Sequence, residues 1–408
     1  MNRKQLTLLI VLGVVLGGLG WLAWQKRQKP YEESTAKMGD RVLPGFQPDD
    51  VASFTIKQPN AELTLHKKDD LWVVKDRGDY PASFDNVREL LRKFWEIKVA
   101  AARPVGPSRL PMLDLVPPGK GNGTLIEFKD KAGKPFKTVL LGAKSMKESG
   151  GDSQFGGGSF ANGRYVMVGD DISTVALVTE TFNNAEAKPD DWLNKEWFKV
   201  EKHKSISVVT TNATNDWKLF RETETGEWKL ADAKAGESLD SGKSGALTGS
   251  FSYPSFTDLA TNAAAAGLDK PAVTATIETF DGFTYTAKIG SKSGEENYHF
   301  QIAVVGNFPK QREPGKDEKP EDKERLDKEF AEALKKKEEK LKNEQSFAKW
   351  IYVVSKWTVD PFLKERKDLL ADKKEEPKAD AATSPATPLP ATPITLPGPL
   401  TPPPPDKK

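Results

Sequence analysis

The chain has 408 residues, of which 37% are hydrophobic and 29% are charged, and its formal net charge at pH 7 is +2. This near-neutral balance argues against a nucleic-acid-binding protein, whose binding domain would carry a basic surplus. The sequence contains no cysteine, which excludes disulfides, thiolate chemistry, cysteine-ligated zinc and iron–sulfur clusters. Its apolar content is sufficient for one or two ordinary hydrophobic cores.

Residues 6–24 form a continuous run of 19 residues without a charge. A helix of this length covers the hydrocarbon core of a bilayer, and Trp21 and Trp24 lie where tryptophan prefers the membrane boundary. The run predicts a transmembrane anchor with residues 1–5 cytoplasmic, and a cleaved signal peptide is the alternative. Gly13 and Gly17 form a G-x-x-x-G motif that lets another membrane helix approach closely, although glycine is common in such helices anyway.

Residues 25–41 are polar and lack periodicity, which predicts a short stalk. Alternating apolar side chains then predict strands over 51–57, 62–67 and 71–74. Apolar residues at helical spacing predict a helix over 84–97, with Asp85 as its N-cap.

The same order of elements recurs about 150 residues later. Strands over 205–210, 217–221 and 227–230 match the first three, Trp228 matches Trp72, and Asp240 matches Asp85. Three further matches are the hairpins 124–142 and 276–290, the strands 164–168 and 350–354, and the closing runs 191–196 and 361–365. Six matches in one order predict a tandem duplication.

These elements predict an α+β fold in which the N-terminal transmembrane helix precedes two duplicated, mainly antiparallel-sheet modules, over 42–198 and 199–370. Three glycines weaken the second helix, so we expect the two modules to have diverged in function. Residues 371–408 form a tail with 11 prolines between Pro377 and Pro405, which predicts an extended, disordered segment.

A charged insertion over 310–345 interrupts the second module with 12 basic and 12 acidic residues. Leu326, Phe330 and Leu334 follow one another along one side of it at i, i+4 spacing. Two interpretations remain: a solvated, salt-bridged helix that projects from the sheet, or a helical arm that contacts a partner through this thin stripe.

Catalytic and metal-binding patterns are absent from the sequence, so no cofactor is expected. His66, His203 and His299 lie in or before strands without metal-ligand spacing. The acidic pairs 49–50, 170–171 and 190–191 are better explained as helix starts or turns than as acid–base pairs. Trp72 and Trp228 are expected in the core, with ligand stacking as the alternative.

The order of elements resembles a known bacterial family. An N-terminal apolar segment precedes repeats of the form V-x-x-[FI]-x-[IV], a second strand, a strand with tryptophan and a helix, and the repeats are entered through Phe46 and Trp197-Phe198. This pattern resembles the family called domain of unknown function 4340 (DUF4340) over roughly residues 1–370, without the insertion. The family has no established activity. The resemblance implies a context, because such proteins tend to be encoded with ABC-transporter permeases and gliding-motility-like auxiliary transport proteins.

The leading hypothesis is a non-catalytic accessory protein of an ABC-type transport or envelope system. It would be held in the bacterial inner membrane with its main body in the periplasm, and its partners would be membrane proteins such as a permease or an auxiliary subunit. One alternative is a periplasmic scaffold without a transporter, which reaches its partners through the tail. The other is an enzyme that acts on envelope polymers through Asp170, Asp171, Asp190 and Asp191.

Overall fold

The structure is a computed structural model that describes residues 34–102, 104–148, 159–315 and 318–372. The described residues up to Leu370 form one compact unit. Within the described residues there are seventeen strands in two antiparallel sheets, together with five α-helices and several short 3-10 turns. The predicted α+β class with two mainly antiparallel sheets is therefore confirmed.

The first sheet has nine strands in the order β4-β3-β2-β1-β6-β7-β8-β9-β5. The strands are β1 Ser53–Gln58, β2 Ala61–Lys68, β3 Leu71–Val74, β4 Tyr80–Pro81, β5 Ala101–Ala102, β6 Thr124–Lys129, β7 Pro135–Glu148, β8 Ser159–Val168 and β9 Ala176–Val178. Helix α1 (Phe84–Glu96) packs on this sheet through Val87, Leu90, Leu91 and Phe94, and α2 (Pro189–Trp192) is a single turn.

The second sheet has eight strands in the order β12-β11-β10-β14-β15-β16-β17-β13. The strands are β10 His203–Thr210, β11 Trp217–Phe220, β12 Lys229–Leu230, β13 Asp258–Leu259, β14 Val273–Thr279, β15 Phe283–Ser293, β16 Asn297–Gly306 and β17 Tyr352–Ser355. Its helices are α3 (Ser241–Thr248), α4 (Pro320–Gln345) and α5 (Lys356–Val359).

The two sheets have the same strand order apart from β4, which has no counterpart among the described strands of the second sheet. This order corrects one predicted match: the counterpart of β8 is β16, and the counterpart of β17 is the short strand β9. The sequence match was misleading because both segments are strands rich in Val and Tyr, and the charged insertion separates β16 from β17. The duplication itself stays a prediction.

The N-terminal caps of α1 and α3 show which residues of the two modules are equivalent. Ser83 caps α1, because its side chain accepts from the Asn86 N–H, so the prediction of Asp85 as N-cap was wrong. Asp240 caps α3. The N–H of Ser83 donates to the Trp192 carbonyl, and the N–H of Asp240 donates to the Leu369 carbonyl. Ser83 and Asp240 are therefore equivalent positions.

The closing runs also differ from the predicted match. Leu193 bridges to Ala82, and Leu370 bridges to Leu239 in the same way. The ring of Phe182 stacks on the α1 residue Phe94 at 4.6 Å. Its counterpart Phe362 stacks on Phe251 at 4.7 Å. The predicted match of the closing runs 191–196 and 361–365 was therefore wrong, because Leu369 and not Phe362 takes the place of Trp192.

The two sheets share one continuous cluster of buried residues. At their junction, the β4 residue Tyr80 contacts the rings of Phe256, Trp350 and Tyr352, with ring centroids 5.2–6.3 Å apart. Arg77 beside β4 binds the β13 residue Asp258 through two hydrogen bonds of 2.7 Å. This pairing raises the pKa of Arg77, and burial raises the pKa of Tyr80 to about 12.

No helix within the described residues is long and apolar enough to cross a membrane. The fold as described thus does not include the N-terminal transmembrane helix that was predicted with the fold class. Helix α4 has sufficient length, but 17 of its 26 residues are charged. Residues 6–24 with Gly13 and Gly17, and most of the predicted tail, lie outside the described residues.

The end of the predicted stalk is bound to the first module. The N–H of Thr35 donates to the Ser173 carbonyl, and the N–H of Gly39 donates to the Val99 carbonyl. Residues 34–41 therefore belong to the folded unit, because loop carbonyls satisfy their backbone donors.

Gly142 in β7 and Gly290 in β15 occupy equivalent bulges, where a loop backbone crosses each strand. A Cβ atom at Gly142 would lie 2.2 Å from the Leu113 carbonyl oxygen, and one at Gly290 would lie 2.0 Å from that of Ala266. Both distances are far below van der Waals contact, so only glycine fits without a backbone shift.

We therefore expect Gly142→Ala and Gly290→Ala each to lower the free energy of unfolding by about 1–3 kcal/mol, because the loop must move away from the strand. Denaturant unfolding of the full chain measures this change. Gly245→Ala in α3 is the matched control. It has no atom within 4 Å of the new Cβ and should stabilise by about 0.5–1 kcal/mol. Equal effects at all three positions would contradict the steric explanation.

Candidate functional site

The three histidines have structural contacts. His66 in β2 lies 3.5 Å from a carboxylate oxygen of Asp79. His203 is buried at the start of β10 with its Nε2 2.7 Å from the Ser250 carbonyl, and burial lowers its pKa. His299 Nδ1 lies 3.0 Å from the Ser291 carbonyl. Among the described residues, no group of three or more His, Asp or Glu side chains is placed to hold a metal ion.

The acidic pairs lie at the starts of short helices, as the sequence indicated. Asp171 caps a 3-10 turn by accepting from the Ser173 N–H at 2.9 Å. Asp190 and Asp191 occupy the first turn of α2, and Asp49 and Asp50 occupy a 3-10 turn before β1. Carboxylates at helix starts satisfy free N–H groups and interact favourably with the helix dipole.

The strongest candidate for a binding site is a groove along α1 in the first module, with a volume of about 380 Å³. One side is α1 itself, and the other side is formed by the β2–β3 hairpin and the 3-10 turn before β1. We call it the α1 groove. It is lined by Pro48, Asp49, Lys67, Asp70, Trp72, Phe84, Val87, Arg88, Leu91, Arg92 and Trp95.

The apolar part of the α1 groove comes from two kinds of side chain. Val87, Leu91 and Trp72 are buried and also belong to the core of the module. Phe84 differs, because 62% of its surface is exposed although it is a large apolar side chain. The Trp95 indole N–H is buried without an acceptor among the described residues, which leaves a costly unsatisfied donor at this wall.

Cations lie over all three aromatic rings of the α1 groove. The Lys67 ammonium is 5.3 Å from the centre of the Trp72 ring, and the Arg88 guanidinium is 5.7 Å from that of Phe84. Arg41 lies 4.9 Å from the centre of the Trp95 ring. Each contact is of the cation–π type, which contributes about 0.5–1 kcal/mol at exposed sites.

The charges at the rim are mixed. Arg88 binds Asp85 at 2.8 Å and Arg92 binds Glu96 at 2.6 Å, and all four side chains are at least half exposed. Asp49 and Asp70 face the same groove. Exposed ion pairs of this kind contribute little to stability, so the two guanidinium groups remain available to another carboxylate.

The second module retains one part of this site. Strand register makes Trp228 equivalent to Trp72 and Arg221 equivalent to Lys67, because Leu230 pairs with Leu219 as Val74 pairs with Leu65. Arg221 lies 5.1 Å from the centre of the Trp228 ring. The cation–tryptophan pair therefore occurs in both modules.

The helix side of the site is different in the second module. With Ser83 aligned on Asp240, the core-facing Leu90 and Phe94 correspond to Leu247 and Phe251, and all four are buried. The second module has small or hydroxyl-bearing residues where the first module has the groove-lining residues of α1. Phe84, Arg88, Leu91, Arg92 and Trp95 correspond to Ser241, Gly245, Thr248, Gly249 and Ser252.

Sequence reasoning did not identify the α1 groove. It placed Trp72 in the core, which is confirmed by an exposure of 6%. The sequence of α1 did contain a signal for a binding surface. Phe84, Arg88 and Trp95 lie outside the stripe of buried residues, and two of them are aromatic. The groove also needs Lys67 and Asp70 from the hairpin, and helix periodicity contains no information on that contact.

The predicted partner stripe lies on α4. Leu326, Phe330 and Leu334 are half-buried, and the structure does not test their role as a partner contact. The C-terminal half of α4 is fixed to the second module, since Lys337 donates to the Asp281 carbonyl and Lys340 donates to the Lys199 carbonyl.

A buried carboxylate anchors the end of α4. Glu344 is 6% exposed, and it accepts hydrogen bonds from the Lys199 N–H at 3.1 Å and the Tyr285 hydroxyl at 2.9 Å. Burial nevertheless raises the pKa of Glu344, because desolvation of the carboxylate outweighs these bonds. The projecting helix predicted from the sequence is therefore docked at one end.

Comparison with protein families identifies the chain. The model for the domain of unknown function 4340 matches residues 72–271. The chain belongs to the DUF4340 family. The match begins at Trp72 in the α1 groove and ends just before β14, so it covers parts of both modules of this DUF4340 protein. Comparison with curated proteins and with solved structures gave no match.

The anchoring of α4 predicts a pH effect on stability. Because the folded-state pKa of Glu344 is raised above its ordinary value of 4.5, the folded protein binds this proton more tightly than the unfolded chain. The contribution to stability is fully present below about pH 4.5 and is lost as pH rises through the folded-state pKa.

Glu344→Gln should remove this dependence, so the Tm of the variant relative to wild type should rise between about pH 4.5 and pH 8. Thermal unfolding of the full chain across this range measures the difference. Glu339→Gln, at an exposed position of the same helix, is the control and should show no such trend. A constant difference between Glu344→Gln and wild type would refute the assignment.

Proposed function

We propose that this DUF4340 protein is a non-catalytic accessory protein that binds a protein partner of an ABC-type transport or envelope system. The observation that carries the proposal is the α1 groove, where exposed Phe84 and the rim charges accompany a buried apolar floor. Interfaces typically combine a well-packed apolar centre and aromatic or arginine anchors with a polar rim.

Divergence of the two modules supports the same function. We propose that they descend from one duplicated unit, because strand order, helix caps and the cation–tryptophan pair correspond. The second module keeps the core-facing residues of its helix but lacks the groove-lining ones. One module then binds the partner, and the other supports it through their common core.

The transport context and the location are part of the proposal. Their support is the tendency of DUF4340 proteins to be encoded with ABC-transporter permeases and auxiliary transport proteins. We place the modules on the extracytoplasmic side of the bacterial inner membrane, where such a permease exposes its loops. The partner is then a permease or an auxiliary subunit of the same system.

Cross-linking in intact cells, followed by mild-detergent purification from native membranes and mass spectrometry, tests this function. We expect a permease and its ATPase to be recovered near stoichiometry, with cross-links to either module. A chain recovered alone, or only with cell-wall and outer-envelope proteins, would contradict the accessory function. The Gly245→Ala variant is a suitable control, because it changes no charge and should recover the same partners.

A further inference from the structure

We propose that the α1 groove binds a short extended peptide segment of the partner that carries apolar and acidic side chains. This inference rests on the proposed partner-binding function and specifies the site and the chemistry of the bound segment. Four observations support it: the length of the groove, its charges, the state of its aromatic rings and the comparison with the second module.

The length suits a short peptide. Phe84 and Trp95 mark the two ends of the groove-lining side of α1. The eleven residue steps between them span about 16 Å at 1.5 Å per step. An extended chain covers about 3.3 Å per residue, so about five peptide residues fill this distance. A volume of about 380 Å³ accommodates some of their side chains but not a folded element.

The charges favour carboxylates on the peptide. Arg88 and Arg92 lie one turn apart on α1, and Lys67 faces them from β2. Guanidinium groups match carboxylates in a two-pronged geometry. The present partners Asp85 and Glu96 are at least half exposed, so exchanging them for a peptide carboxylate costs little. Asp49 and Asp70 on the opposite rim would disfavour a peptide with several acidic residues in a row.

The aromatic rings favour a peptide over a sugar polymer. Stacking of a sugar requires an exposed ring face, but a cation covers one face of each of Trp72, Phe84 and Trp95, and Trp72 is only 6% exposed. Apolar peptide side chains need only the ring edges and the aliphatic floor of Val87 and Leu91. Phe84 is the natural anchor, because a large exposed aromatic residue gains the most from burial on binding.

The second module provides an internal control for this assignment. With Ser83 aligned on Asp240, it has Ser241, Gly245 and Gly249 at the positions where α1 has Phe84, Arg88 and Arg92. A leucine and a phenylalanine at equivalent positions are buried in both modules, Leu90 and Phe94 in the first and Leu247 and Phe251 in the second. The exposed groove-lining side chains Phe84, Arg88 and Arg92 are therefore not needed for the fold, which leaves binding as their function.

Fluorescence polarisation with labelled peptide pools tests the proposal on the full chain. One pool contains six-residue peptides that combine Leu, Val and Pro with one or two Glu residues, and the matched pool has Lys in place of each Glu. We expect the Glu pool to bind at least about tenfold more tightly than the Lys pool. A tetramer of N-acetylglucosamine should not displace it.

Two variants map the bound pool to the groove. Phe84→Ser, which introduces the residue of the second module, and Arg88→Ala should each weaken binding by about 3- to 30-fold. The matched control is Arg325→Ala on α4, which removes an exposed arginine that has an i,i+3 ion pair with Asp322, as Arg88 has with Asp85. All three positions are exposed, and unchanged circular dichroism and Tm would verify that the variants fold.

The outcomes separate this inference from the proposed function. Equal binding of the two pools, no binding of the Glu pool at about 1 mM, displacement by the sugar, or equal loss with Arg325→Ala would each overturn the inference. Recovery of permease and ATPase with both the wild-type chain and Phe84→Ser would overturn it while leaving the accessory function intact. Loss of that recovery in Phe84→Ser alone is the result we expect.

Discussion

The packing of the two sheets against each other is the constraint on which the rest of the structure depends. Edge strands β4 and β13 have two residues each. Tyr80 in β4 makes the aromatic contacts of the junction, and Asp258 in β13 pairs with Arg77. The chain runs from Tyr80 in this junction to the cap Ser83 and the groove residue Phe84 within five positions. The junction thus sets where α1 begins, and with it the position of the groove.

The second module shows how much of this arrangement the fold itself requires. Helix α3 is short and contains glycine, which weakens it. It is stabilised by the Asp240 cap, which accepts from two backbone N–H groups, and by the closing segment, where Lys364 donates to the Lys243 carbonyl. Hydrogen bonds from other side chains to the backbone of α3 therefore replace the helix-forming side chains of α1. The sheet on which the helix lies keeps the same strand order.

Local patterns in the sequence predicted the strands well, because alternation follows directly from one buried face. The predicted strand over 71–74 has the bounds of β3, and the helix predicted over 84–97 differs from α1 by one residue. The N-cap was missed because Ser83 and Asp85 are both good capping residues, and the choice is made by the bond from Ser83 to the distant Trp192 carbonyl. The equivalence of β8 in the first sheet and β16 in the second was missed because strand order depends on contacts across the sheet.

The α1 groove could not be derived from these patterns either, since it combines the β2–β3 hairpin with a helix that begins twelve residues after Trp72. Phe84 is the residue that most needs an explanation. The second module has Ser241 at its position, so the fold tolerates a polar residue that would not expose apolar surface to water. Exposed apolar surface beside polar and charged groups is a common feature of interaction sites. A phenylalanine that contributes little to the core and lies beside Arg88 and a buried floor is better explained by a partner than by folding.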